Sequence, residues 1–139
     1  MSIQSNQLNQ YWTDIYFYLH YPHVDKITHQ AVRILQLLDK HPDAGINEVA
    51  KVLKISHNTA SEHVKRLIEK NYIVKERSGE DQRRVILRLT GLGSDVLYRN
   101  TSLDDQKLSK VLDQLSQEEK IIIEKAFQTL SEVAKKCTF

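Results

Sequence analysis

The 139-residue chain predicts a mainly α fold with one small β-hairpin, and three observations carry that prediction. Apolar residues recur at helical spacing through most of the sequence. One stretch, residues 72–89, instead alternates with the period of two that a strand requires. Between its halves, Ser78-Gly79-Glu80-Asp81-Gln82 has turn composition and nothing large enough to bury. The length suits a single domain, 1–139, and no Ser/Pro/Gly-rich linker, low-complexity tract or internal repeat divides it.

Leu8, Trp12, Ile15 and Leu19 follow helical spacing in a first helix that ends near Tyr21-Pro22, because proline disfavours helix in the residue before it. Thr28 is placed to cap a second helix with Ala31, Ile34, Leu35 and Leu38 on one face, closed by the turn residues His41-Pro42-Asp43-Ala44-Gly45. Asn47 is the expected cap of a short third helix carrying Val49, Ala50, Val52 and Leu53, and Ser56 caps a fourth from His57 to about Lys70. Only about three residues separate these two, the outline of a helix-turn-helix. Asn71 stands where a left-handed residue is wanted at the helix end.

The strands follow. Val85, Leu87 and Leu89 are expected to face the core, with Arg84, Ile86 and Arg88 on the other side. Thr90 then caps a long fifth helix continuing through Leu108, Val111, Leu112 and Leu115. Ser116-Gln117-Glu118-Glu119 is a capping box opening a sixth helix, whose apolar stripe runs from Ile122 to Ala134. Helices this apolar at both chain ends need a partner surface, and a second copy is the economical one.

Charge narrows the function. Residues 54–90 hold nine Lys or Arg against five acids, a local net charge of +4, while the remainder is net negative. Such concentration is the footprint of a polyanion partner. With Cys137 as the sole cysteine, no intramolecular disulfide or cysteine metal cluster can form, which fits a reducing, cytoplasmic setting. The N-terminal SIQSNQLNQ lacks the basic and apolar regions of a signal peptide, and no apolar run reaches the roughly 20 residues of a membrane helix.

In the fourth helix Ala60, Val64, Leu67 and Ile68 form the inward stripe, leaving His57, Asn58, Ser61, Glu62, Lys65 and Arg66 outward. A major groove accepts one helix, and short polar side chains and arginine near its start read base edges while Lys, Arg, Ser and Thr hold phosphates. Asn58 suits an adenine. Glu62 suits a cytosine, but it also lies four residues before Arg66, and that helical ion pair is the favoured reading of it.

With these elements in place the sequence resembles the MarR (multiple antibiotic resistance regulator) family of winged helix-turn-helix transcription factors. The resemblance rests on THQAVRIL in the second helix, INEVAKVLKIS into the turn, and above all DQRRVILRLTGLG, residues 81–93, which is similar to the family's wing signature. It implies a winged lobe over 28–90 and a helical dimerisation lobe from 1–21 and 91–139. It further implies a homodimer on a pseudo-palindromic double-stranded DNA operator, with Arg83 in the minor groove and Asp81 steadying it. The expected DNA-binding set is Ser56, His57, Asn58, Thr59, Ser61, Glu62, Lys65, Arg66, Arg77, Asp81, Gln82, Arg83 and Arg84.

Relatives of this kind often bind small aromatic effectors, for which Trp12, Tyr16, His20 and His23 are the expected lining. His20, His23 and His29 near Asp25 are not expected to hold a metal, since Pro22 breaks any shared helical face and the final helix lacks paired histidines. No cofactor is expected, and no nucleophile–base pair, phosphate loop or spaced carboxylate pair suggests an enzyme. The sequence therefore predicts a cytoplasmic homodimeric regulator, a repressor released by a small ligand. The alternative is a winged-helix module that binds protein instead of DNA.

Overall fold

The computed structural model describes residues 2–79 and 83–137. They form α1 (Ser5–Leu19), α2 (His29–Lys40), α3 (Ile46–Leu53), α4 (His57–Glu69), β1 (Ile73–Arg77), β2 (Val85–Leu89), α5 (Gly91–Thr101), α6 (Asp105–Leu112) and α7 (Gln117–Lys136). The architecture is mainly α with one antiparallel hairpin. The chain gathers into two compact units, His20–Ser102 and the pair of segments Met1–Leu19 and Leu103–Phe139.

In the unit His20–Ser102, helix starts follow side-chain capping. Thr28 accepts the Ala31 amide at 3.1 Å, Ser56 that of Thr59 at 3.1 Å, and Thr90 that of Gly93 at 3.0 Å. The expected cap at Asn47 is displaced: α3 begins at Ile46, because Glu48 Oε2 reaches back to accept the Gly45 amide at 3.1 Å. Ile34, Leu35, Val49, Val64, Ile73, Leu87 and Val96 are the largest fully buried side chains. Each contributes roughly 1.5–3 kcal/mol relative to exposure, so the core is drawn from α2, α3, α4, both strands and α5 alike. Val52, expected on the apolar face of α3, is exposed.

Two non-glycine residues sit in the left-handed region. Asn71, at φ 63°, ends α4 as its position predicts. Lys54, at φ 56°, makes the tight connection between α3 and α4, where the Ile55 amide returns to the Ala50 carbonyl at 3.0 Å. Such a conformation costs of order 1 kcal/mol and is held by the structure around it.

The hairpin pairs Ile73 with Leu89, Lys75 with Leu87 and Arg77 with Val85. Its burial departs from simple alternation: Val85 is 39% exposed, whereas Ile86, expected outward, is only 4% exposed. Val85 lies at the tip end, opposite an arginine. Ile86 lines a cleft together with Asp43, Arg77, Arg84 and Arg88.

Backbone contacts fix where the hairpin lies. The Leu87 amide donates to the Ala44 carbonyl at 2.9 Å, and a Cβ on Gly45 would stand 2.8 Å from the Val85 carbonyl oxygen. At the other end Thr90 donates through its hydroxyl to the Asn71 carbonyl at 2.6 Å and through its amide to that of Tyr72 at 3.0 Å. A Cβ on Gly93 would meet the Tyr72 carbonyl oxygen at 1.9 Å, so the first turn of α5 packs directly on backbone.

The single fifth helix expected over 90–115 is broken. α5 ends at Thr101, and Asp104 starts α6 by accepting the Gln106 and Lys107 amides at 2.9 and 3.4 Å. Because α5 packs against α2 and β2, residues 91–102 group with the winged unit instead of the helical one. Arg99 grips Asp25 with two hydrogen bonds of 3.1 Å, and Asn100 adds a third at 3.1 Å. The hydrogen bond from Arg99, reinforced by its charge and by Asn100, holds the Asp25 carboxyl below the ordinary carboxylate range.

In the unit formed by α1, α6 and α7, the Asp104 amide donates to the Leu19 carbonyl at 2.7 Å, tying the end of α1 to the start of α6. Ser116 and Glu119 form the expected capping box: Ser116 Oγ accepts the Glu119 amide at 3.1 Å, and the Glu119 carboxylate accepts the Ser116 amide at 2.9 Å, a bond that holds this carboxyl below its usual range. None of the three helices buries a residue, and Trp12, Phe17, Ile122, Phe127 and Leu130 are all exposed.

Gly93→Ala should force Tyr72 and α5 apart and lower stability by about 1–3 kcal/mol, the usual penalty of overpacking; a denaturant midpoint equal to wild type would contradict the close approach. For Asp25, a carboxyl with a lowered folded pKa stabilises above its unfolded value of about 3.9 and loses that contribution as pH falls through the folded value. Asp25→Asn should therefore melt below wild type at pH 7, with the gap closing below about pH 4, and a gap independent of pH would show that the charge is not what matters.

Candidate nucleic-acid interface

The site begins at the tight connection. Lys54-Ile55-Ser56 turns the chain so that α4 starts with Ser56 as its cap, its hydroxyl also donating to Thr59 Oγ1 at 2.9 Å. Ala60, Val64 and Leu67 are buried, which pins the opposite side of the helix outward. Ser56, His57, Asn58, Thr59, Glu62, Lys65 and Arg66 are exposed as expected, and Ser61 is half-buried at the edge of the face. Glu62 and Arg66 do not form the expected pair: no ion pair within 4.0 Å joins them among the described residues.

The hairpin lies beside this face. Ser61, Glu62 and Lys65 line an open cleft of about 650 Å³ together with Val74 and Lys75 of β1. Helix and wing strand thus present adjoining surfaces of one unit, with hydroxyl, carboxamide, imidazole, ammonium and guanidinium groups along an element slim enough to enter a groove about 12 Å wide.

Arg77, Arg83, Arg84 and Arg88 are all exposed. Arg84 turns back onto its own unit, donating from Nη2 to the Asp43 carbonyl at 2.7 Å and to Glu48 Oε1 at 3.3 Å. Since Glu48 also holds the Gly45 amide, one carboxylate ties the start of α3 to the residue just before β2. Arg88 pairs with Glu76 diagonally across the hairpin. Asp81 and Gln82, expected at the tip, lie outside the described residues.

Asp43, Gly45 and Glu48 were not singled out by sequence reasoning as partners of the wing. The one local signal was a glutamate three residues after a glycine at a helix start, which fits a reach-back to the cap amide. Its second role, receiving Arg84 from 36 positions away, has no sequence signature.

Of the expected effector-lining residues, Trp12 and Tyr16 form a tilted ring pair 6.3 Å apart in α1, while the His20 and His23 rings lie 4.6 Å apart, tilted by 38°, in the winged unit. Among the described residues no three His, Cys, Asp or Glu side chains converge as metal ligands would, and no helix is long and apolar enough to cross a membrane.

A model described as the MarR family matches residues 26–84, from before α2 to the base of β2. No curated protein gives a match. Solved structures share the fold over almost the whole chain. Streptococcus pneumoniae FabT in complex with DNA is 24% identical, with 96% of this chain and 99% of that chain covered at a TM-score of 0.57. S. aureus MepR bound to ethidium bromide is 22% identical, with 96% and 97% covered and a TM-score of 0.61. A mutant of Lactococcus lactis ZitR is 24% identical, with 94% and 98% covered and a TM-score of 0.54. Residues 26–84, which hold the helix pair and the first wing strand, are thus similar to the MarR family model, and the chain shares the winged-helix fold of these solved structures.

Proposed function

We propose that this protein is a homodimeric regulator that binds a pseudo-palindromic double-stranded DNA operator and acts as a repressor released by a small aromatic ligand. The observation that carries the reading is the outward face of α4. Asn58, Glu62, Lys65 and Arg66 are all exposed beside an arginine-bearing hairpin, and their own unit asks no packing of them. Asn58 and Ser61 would meet base edges, Lys65 and Arg66 phosphates, and Arg83 the minor groove, where narrow A·T-rich stretches concentrate negative potential. A protein-binding module would be expected to carry aromatic anchors on this face, and none of these residues is aromatic. S. pneumoniae FabT was solved in complex with DNA on the same fold, which supports the assignment of the groove-facing element.

The dimer follows from α1, α6 and α7. Three amphipathic helices that bury nothing of their own leave a continuous demand for cover, and a second copy supplies a matching surface by symmetry. Two copies would then set their recognition helices roughly 34 Å apart, one turn of the duplex. For the released state, the Trp12 and Tyr16 rings of α1 are the aromatic element available to a flat ligand.

Selection of sites from a random duplex library tests the reading: an inverted repeat should be enriched, whereas weak binding to every sequence would point to a protein partner. At fixed salt, Arg83→Ala should cost about 1–3 kcal/mol of affinity for the selected site, and an unchanged titration would remove the wing from recognition. Deleting residues 116–139 should give monomers in sedimentation, and a dimeric truncation would show that the interface lies elsewhere.

A further inference from the structure

We propose that Glu62 is a specificity determinant, selecting a C·G pair at one position in each half of the operator; the step rests on the DNA-binding reading above. At 3.6 residues per turn, Glu62 lies across the helix from the buried stripe of Ala60, Val64 and Leu67, with Asn58 one turn before it. It is therefore central to the face that would enter the groove.

Structural explanations for an acid at this point fail in turn. The pair with Arg66 is not formed, and neither Lys65 nor Lys75, which line the same cleft, lies within ion-pair distance among the described residues. Glu62 is the sixth residue of α4, past the first turn in which an acid gains from the helix dipole. Packing does not need it, since the side chain is exposed.

A carboxylate carried into a groove between two phosphate strands is repelled unless a donor receives it. Major-groove donors on the bases are the exocyclic amines of cytosine and adenine. Adenine sets its N7 acceptor beside the amine, opposing a second carboxylate oxygen, whereas cytosine presents the donor with no acceptor of its own alongside. Glu62 therefore favours cytosine, and it weakens binding to every site that lacks the amine at that position. The acid lowers affinity for random sequence and raises discrimination.

The test is site selection with the full-length protein in three forms, wild type, Glu62→Ala and Glu62→Gln, at one salt concentration. Wild type should enrich an inverted repeat with a fixed C·G pair at the same place in each half. Glu62→Ala should lose that preference by about tenfold or more while keeping the rest of the repeat, and both variants should bind random duplex more tightly. Glu62→Gln should shift the position toward A·T, because a carboxamide pairs with adenine N6 and N7 together. An identical repeat from all three proteins overturns the role of Glu62 and leaves the DNA-binding reading standing. No repeat from wild type overturns both.

Discussion

The winged unit depends on backbone meeting backbone at the two ends of β2. At one end the Leu87 amide is held by the Ala44 carbonyl while Gly45 lets the loop approach Val85 more closely than a side chain would allow. At the other, Thr90 bonds to Asn71 and Tyr72, and Gly93 lays the first turn of α5 against the Tyr72 carbonyl. Both contacts lie where chain segments enter α3 or leave its neighbour α4. The hairpin therefore cannot slide along its axis without breaking them. The ion pair of Arg84 with Glu48 sits on the same seat, but its groups are about half-exposed, and such pairs contribute about 1 kcal/mol or less. Steric closeness, more than the ion pair, sets the position of the wing.

The helices α1, α6 and α7 obey the opposite logic. Their caps are well made, with Asp104 and Ser116 satisfying first-turn amides, yet capping is worth only about 0.5–2 kcal/mol per helix. Most helical stability in proteins comes from packing an apolar face, and these faces are left open in one copy. On the homodimer reading, folding of this unit and association are one process, and apparent stability depends on protein concentration. The winged unit carries its own core and has no such dependence built into it.

What could be read from the sequence was local. Thr28, Ser56, Thr90 and Ser116 cap their helices within three residues, so side-chain chemistry and spacing suffice to find them. Asn71 was legible because few residues tolerate a positive φ at a helix end. The break at residues 102–104 had a usable signal in Asp104, which the continuing apolar period masked. Other features had none. The burial of Ile86 on the face opposite Leu87 breaks the alternation of the strand, and the displacement of the α3 start depends on a carboxylate that also answers to Arg84. Spacing permitted a Glu62–Arg66 pair, but permission at four residues says nothing of whether two flexible side chains give up their entropy to make it.

The same distinction changes how the charge of the wing should be counted. Nine basic residues between Lys54 and Thr90 give the segment its positive balance, but Arg84 and Arg88 are already set against Glu48 and Glu76. Net charge alone would credit both with attraction for phosphate, an interaction that is indifferent to base sequence and weakens steeply with salt. On the DNA-binding reading proposed above, part of that charge is neutralised internally and Glu62 puts an acid at the centre of the face offered to DNA, so non-specific attraction is restrained. On that reading discrimination comes from the few side chains that would face the groove, which is the property that finding one site among many competing sequences requires.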